Sequence, residues 1–400
     1  MASIKVKFRY SSLPDSEGTI YYQIIHDRKT RQLFTDYHLL ASEWSERRST
    51  VATGHSGSRV AQMISIKEHI RLDVERLTKI VRQFDSRCLE YSADDIVEEY
   101  KRFVSEYSLF NYMKSVISSL KQNHKIRTSE TYQAALNSFR KFRGGKDILL
   151  DCITSEVMES FEAWHRKKGN TQNTFSFYAR ILRATYNRAV EQNIIENRFP
   201  FRHVYTGVDK TVKRALPLNI IKRIKSLNLK YSPSLDYARD MFMMSFMLRG
   251  MSFIDMAYLR KSDLAHGYVS YRRRKTGQKL IIEWTEDMQR VVDKYPENSS
   301  DYLLPIIKHR GINERCVYRT AGYRINCNLK KLGGMVGVEM PLTLYVARHS
   351  WASAARAKGI PVSVISEGMG HDSESTTQIY LASLDTSMVD RANMLILSSL

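Results

Sequence analysis

The chain has 400 residues, 43% of them hydrophobic, enough to bury real cores and too many for a disordered protein, and its length suggests two or three domains. Lys and Arg number 62 against 42 Asp and Glu, a formal charge of +20 that favours a polyanionic partner, nucleic acid being the commonest. A basic surface that serves only solubility is the alternative.

The first sixty residues alternate apolar and polar in "IKVKFRY", "TIYYQIIHD" and "RQLFTDYHL", the first two separated by the turn-prone "SSLPDSEG". That period predicts a small three-stranded sheet. From about Val60 the period becomes helical, with Met63, Ile66, Ile70, Val74, Leu77 and Val81 on one stripe. "SADDIVEEYKRF" (92–103) opens with Ser92 and acids in its first turn, as a capped helix does.

Residues 107–200 read as almost purely helical, with fifteen Lys and Arg against eight Asp and Glu. The excess clusters around Lys121, Lys125 and Arg127, around Arg140 and Lys141, and in "RKK" (166–168). Further on, Arg180, Arg183 and Tyr178 share or border one exposed side while Phe177, Ile181 and Leu182 turn inward. Such a module beside a basic sheet suits phosphate contacts, which anchor a protein on DNA without reading its sequence. A merely solvated helix face stands equally open at this point.

"DKTVKRALP" (209–217) reads as a linker into a third unit of helices plus a hairpin, "YVSYRRRKTGQKLIIEW" (268–284), whose turn falls around Lys275, Gly277 and Gln278. Its apolar run "MFMMSFML" (241–248) is short and flanked by Arg239 and Arg249, and no apolar leader opens the chain, so a soluble intracellular protein without membrane contact is expected. Cys88, Cys152, Cys316 and Cys327 lie far apart with no Cys-x-x-Cys pair, which reads as reduced, packed thiols rather than a zinc site or disulfide framework.

The third unit holds the residues that are hardest to explain as structure. "YVARHS" (345–350) brings Arg348 and His349 into an apolar helix, where an arginine needs a partner and an anion is a natural one. His371 follows Gly370, and Tyr380 follows His371 by nine residues. Strand alternation puts Arg273 and Lys275 on one face of the hairpin and Arg272 and Arg274 on the other. Positive groups converging near a tyrosine suit phosphoryl transfer, in which charge on a transient phosphorane must be stabilised.

On these motifs the third unit resembles the catalytic domain of the tyrosine recombinases, the phage-integrase family, and most closely integrases of Bacteroidetes mobile elements. "YVARH", "GH" and Tyr380 stand in the order and spacing of that family's C-terminal signature, and "RRRKTG" supplies its hairpin lysine as Lys275. The resemblance extends over the whole chain. It implies a multidomain, mainly α protein with small β-sheets: an arm-type DNA-binding β domain over 1–58, a helical coupler over 59–104, a helical, SAM-like core-binding domain over 105–208, and a mixed α+β catalytic domain over 209–400.

The family's first catalytic arginine falls on Ser252 in "GMSFIDM" (250–256), and the histidine of its His-x-x-Arg pattern is replaced by Tyr345. Serine cannot supply a guanidinium, so another arginine must serve: Arg249, read on the same helix, or Arg273 on the Lys275 face, the latter favoured. Tyr345 can still donate a hydrogen bond. The Bacteroidetes-like branch tolerates both replacements. By the resemblance, Tyr380 attacks the scissile phosphate to give a 3′-phosphotyrosine, Lys275 protonates the leaving 5′-oxygen, and Arg348, Tyr345 and His371 hold the non-bridging oxygens. Asp255 orients a neighbour, His349 packs, and Tyr302, Tyr318 and Tyr323 are structural.

Neither a metal nor a nucleotide cofactor is required. The implied partners are double-stranded DNA at core and arm sites, three further copies in a homotetrameric synapse, and accessory DNA-bending proteins, all in the bacterial cytoplasm with the nucleoid. The apolar tail "SLDTSMVDRANMLILSSL" docks on a neighbouring protomer or, alternatively, on its own domain. The implied function is site-specific recombination that integrates or excises a mobile element. A type IB topoisomerase and a catalytically silent architectural DNA-binding protein are the alternatives.

Overall fold

The computed structural model describes all residues except Met1, Pro14, 53–58, 87–89, 210–213, 296–297, 310–312, 382–393, 395–396 and 399–400, and the side chains of Ala61, Ile379 and Tyr380. Cys88, part of the 209–217 linker and nearly all of the C-terminal tail therefore lie outside the described residues. The chain divides into two compact units, Met1–Asp209 and Lys210–Leu400.

The first unit opens with an antiparallel meander of β1 (Ser3–Arg9), β2 (Gly18–His26) and β3 (Lys29–Leu39) in the order β1-β2-β3. The expected three strands are present because the period-two pattern makes one face apolar. Phe8, Ile20, Tyr22, Ile24, Leu33 and Leu39 are buried on that face. Each contributes roughly 1.5–3 kcal/mol on leaving water. On the other face Lys5, Lys7 and Arg9 stand opposite Gln23, Tyr21 and Thr19, and Tyr21 in turn faces Phe34. A two-strand ribbon, β4 (Trp44–Ser45) and β5 (Thr50–Val51), follows.

Helix α1 (Val60–Ser86) and α2 (Ala93–Tyr107) cover the apolar face of the sheet, so sheet and helices share one core. The α1 stripe is as read from the sequence: Met63, Ile66, Ile70, Leu77 and Val81 are buried and Val74 partly so. Ser92 caps α2, accepting from the Asp95 amide while the Asp95 carboxylate accepts from the Ser92 amide at 2.7 Å. Beneath the sheet lies a buried carboxylate, Asp73, 3% exposed. It accepts from the Tyr22 hydroxyl at 2.9 Å, the Tyr37 hydroxyl at 2.8 Å and the Arg76 guanidinium at 2.8 Å. Arg76 also donates to Asp151 at 2.5 Å.

Four helices continue the unit: α3 (Leu109–Gln122), α4 (Ile126–Phe142), α5 (Ser155–Lys167) and α6 (Gln172–Glu191). Their core joins Met113, Phe139, Phe161, Phe175, Leu182 and Tyr186. The inward face of α6 is Phe175, Ala179, Leu182 and Tyr186. Leu182 thus matches expectation, Ile181 is half-buried against the core, and Phe177 is only half-buried beside Tyr178, because the 3.6-residue period carries it off that face. Cys152 is buried, but Cys316 is exposed, so the expectation that every thiol is packed is corrected there.

The second unit contains α7 (Leu218–Lys225), α8 (Pro233–Met247), α9 (Phe253–Ala257), β6 (Leu264–Ala265), β7 (Tyr268–Arg272), β8 (Lys279–Glu283), α10 (Glu286–Asp293), α11 (Glu314–Met335), α12 (Leu344–Ala357), α13 (Val362–Met369) and α14 (Glu374–Leu381). Its strands form one antiparallel sheet ordered β6-β7-β8. The core gathers Met241, Phe242 and Met244 of α8, Ile325 and Leu329 of α11 and Val346 and Ala347 of α12. The apolar run 241–248 is therefore a core helix, and among the described residues no helix is long and apolar enough to cross a membrane. Tyr302 donates to Glu314 at 2.9 Å and packs edge-on to Tyr258, which also meets Tyr318. Tyr323, expected to be structural, is instead 73% exposed on α11.

Candidate active site

Arg348 is the centre of the second unit's polar cluster. It lies on the buried side of α12, 6% exposed, because the flanking Val346, Ala347 and Ala352 bury that face. Its Nη1 donates to the Gly250 carbonyl at 2.8 Å and its Nη2 to the Met369 carbonyl at 2.7 Å. Gly250 has φ +72°, and a Cβ there would stand 2.7 Å from the Arg348 Cα, so only glycine fits this approach.

Arg348 Nη2 also lies 2.9 Å from His371 Nε2, and His371 Nδ1 lies 2.7 Å from Thr377 Oγ1. A guanidinium can only donate, so Nε2 accepts and Nδ1 carries the proton toward Thr377. Burial, then the charges of Arg348, Arg273 and Lys275, push the imidazole pKa down to about 4. His371 is thus neutral at pH 7.

The hairpin meets the same place. Arg273, 8% exposed, donates from Nη1 to the Gly370 carbonyl. Gly370 has φ +64°, and a Cβ there would stand 2.9 Å from Leu280 and 3.2 Å from Arg273, so the turn before His371 fits closely over the hairpin. Lys275 is exposed at the hairpin turn. The alternation expected to pair Arg273 with Lys275 does not apply to them, because β7 ends at Arg272 and residues 273–278 form a turn. Both nevertheless act electrostatically on His371.

Ser252 and Arg249 do not share a helix, contrary to expectation. α8 ends at Met247, Arg249 is half-buried in a turn with φ +56°, and Ser252 is the N-cap of α9. Ser252 Oγ donates to Asp255 Oδ2 at 2.6 Å, and Asp255 Oδ1 accepts from the Arg274 amide at 2.9 Å. The serine at the arginine position therefore has a local structural task. Arg274 stands with its guanidinium 4.2 Å from the Tyr258 ring centroid, a contact across sixteen residues that no sequence period signals.

Tyr345, 61% exposed, meets the buried His349 edge-on at 4.6 Å. Tyr380 lies on α14, three residues after Thr377, and its side chain is outside the described residues. Arg356 of α12 donates to the Leu381 carbonyl at 2.9 Å, which ties the end of α14 to the helix of Arg348. Among the described residues no group of three His, Cys, Asp or Glu is arranged to hold a metal ion.

In the first unit, Lys121, Lys125 and Arg127 are exposed around the α3–α4 turn, and Arg140 and Lys141 are exposed in the last turn of α4. Helical rise separates those two groups by about 20 Å. Arg180 is exposed on α6, whereas Arg183 is half-buried and donates to Thr206 at 2.8 Å, a side-chain contact the helical pattern could not show.

A phage integrase SAM-like domain model matches residues 108–204 and a phage integrase family model residues 220–387. The tyrosine recombinase XerC of Leptospira interrogans is 21% identical over 299 residues, 73% of this chain and 91% of its own length. XerA of Pyrococcus furiosus is 24% identical over 281 residues, 61% of this chain and 96% of that protein. Among solved structures, a lambda integrase dimer bound to a COC′ core site aligns with a TM-score of 0.52 at 16% identity, covering 93% of this chain and 96% of that one. The Tn1549 transposon integrase (residues 82–397) in complex with transposon right end DNA aligns at 0.52 and 15% identity, covering 73% and 99%.

Proposed function

Since the chain belongs to the phage integrase family of tyrosine recombinases and is a site-specific recombinase, we propose that Tyr380 is its nucleophile and that it integrates or excises a mobile element. The observation that carries this reading is the convergence of Arg348, His371, Arg273 and Lys275 in one unit, beside the helix that bears Tyr380.

In the proposed reaction the Tyr380 oxygen forms a bond to the scissile phosphorus as its proton passes to solvent. The bond from phosphorus to the 5′-oxygen breaks, and that oxygen takes a proton from the Lys275 ammonium. The 3′-phosphotyrosine keeps the bond energy, and attack by a 5′-hydroxyl reverses the step. Arg348, steadied by neutral His371, and Tyr345 at the rim hold the non-bridging oxygens as charge grows. Each positioned donor is worth roughly 2.7–4 kcal/mol, so loss of one slows cleavage about 10²–10³-fold.

Arg273 is favoured as the substitute for the arginine missing at Ser252, because its charge acts on His371 and its guanidinium reaches the Gly370 carbonyl. Arg249, whose Cδ lies beside Gly368 and whose charge reaches Tyr271 along with those of Arg348 and Arg273, is the second candidate.

The DNA partner is a duplex core site, gripped by phosphate contacts from Lys121, Lys125, Arg127, Arg140, Lys141 and Arg180, with Arg183 behind them. The basic outer face of the N-terminal sheet, Lys5, Lys7 and Arg9 with Tyr21 and Gln23, would take arm-type DNA, within segment 1–58; residues 59–104 couple it to a core-binding domain over 105–208 and a catalytic domain over 209–400. A lambda integrase tetramer bound to a Holliday junction aligns at TM-score 0.54 and 16% identity, and we extend that assembly, with DNA-bending helpers, to this chain in the bacterial cytoplasm.

The test is covalent trapping on nicked duplex that carries candidate sites from the protein's own locus. An adduct mapped to Tyr380, absent in Tyr380→Phe while DNA affinity persists, supports the reading. Tight binding to verified sites without an adduct favours the silent architectural alternative, for which the helix-capping Ser252 is the one specific observation.

A further inference from the structure

Lys275 is exposed on a turn, and a flexible lysine there samples many positions. Its backbone is nevertheless held on the N-terminal side by successive neighbours. The Arg273 amide donates to the Gln278 carbonyl at 2.8 Å and its guanidinium reaches Gly370. The Arg274 amide donates to Asp255 Oδ1, and its exposed guanidinium lies over the Tyr258 ring. That ring is itself fixed edge-on by Tyr302 at 5.6 Å and by Tyr318 at 5.9 Å, and Tyr302 is anchored on Glu314 of α11. The aromatic platform is thus built into the core, while the turn it steadies projects out of it.

We propose that Tyr258 and Arg274 are positioning residues for the general acid: the ring clamps Arg274 and so holds the turn in the one place from which the Lys275 ammonium reaches the leaving 5′-oxygen. The proposal rests on the reading of Lys275 as that acid. The clamp's proposed role is confined to the lysine, so its loss should impair proton delivery and leave attack on phosphorus intact. General acid catalysis of this kind contributes about 10²–10⁴-fold, and a misplaced acid forfeits much of it.

The experiment compares full-length variants on two nicked core-site duplexes, one with the natural 5′-oxygen at the scissile bond and one with sulfur in its place. When the phosphorus–sulfur bond breaks, the thiolate leaves without a proton, so a defect confined to proton delivery disappears. Tyr258→Leu and Arg274→Gln should cleave the oxygen substrate at least about tenfold more slowly and the sulfur substrate at nearly the parent rate. Tyr258→Phe, which keeps the ring, should cleave both normally. Equal slowing on both substrates, or no slowing on either, overturns the proposal. Arg274→Gln alters an exposed side chain and carries the test if Tyr258→Leu does not fold. Lys275→Ala is the reference: if sulfur fails to rescue it, the general-acid reading itself fails and takes the clamp with it; if sulfur rescues Lys275→Ala but not the clamp variants, only the clamp is wrong.

Discussion

Two carbonyls and an imidazole hold Arg348, so its orientation is set before any phosphate arrives. Gly250→Ala should break that arrangement twice, through a left-handed backbone that costs an alanine roughly 1–2 kcal/mol and through the clash with the Arg348 Cα. The expected result is a lowered melting temperature and a cleavage rate reduced about 10²-fold, since displacement of a reacting group by an ångström costs that much. His371 gives a pH prediction. Its folded pKa, about 4, lies below the ordinary 6.5, so the unfolded chain binds the proton more readily. The stability it contributes is fully present above about pH 6.5 and is lost as pH falls through 4. NMR titration should find the His371 midpoint near 4, and His371→Gln should flatten the fall in thermal stability between pH 6.5 and 4; a midpoint near 6.5 would contradict the buried, Arg348-bonded imidazole.

At the scale of elements, α1 is fixed to the sheet by Asp73 as well as by its apolar stripe. Asp73→Ala leaves the Tyr22 and Tyr37 hydroxyls without their acceptor and Arg76 with Asp151 and the Cys152 sulfur. Breaking a buried pair of this kind should destabilise the first unit by about 3–5 kcal/mol, read as the loss of a denaturation midpoint in full-length protein. Sequence periodicity was sufficient for β1 to β3, for α1 and for the hairpin, since each has one wet and one dry face. It failed where an element stopped: alternation does not continue past Arg272, and a helix does not run from Arg249 to Ser252 across the left-handed Gly250. The order of Arg348, His371 and Tyr380 was legible because all three lie within one short stretch of chain. The Tyr258–Arg274 contact was not, because it depends on how a turn folds back over α9.

For the whole molecule, a charge of +20 makes DNA affinity a function of salt. The slope of log affinity against log salt should be about −0.9 for each phosphate neutralised. Lys5→Ala with Lys7→Ala should flatten that slope by about 2 on arm-type DNA and leave core-site binding unchanged; equal flattening on both would refute a separate arm site. The same sheet has a metrical property. Alternate residues of β1 lie about 6.8 Å apart, twice the roughly 3.4 Å between successive bases along a strand. If that face binds arm-type DNA as proposed, Lys5, Lys7 and Arg9 would act as graduations of a ruler marked at every second base step. Inserting two residues into β1 would slide the scale by one division and preserve it, whereas inserting one would turn its marks over into the hydrophobic core.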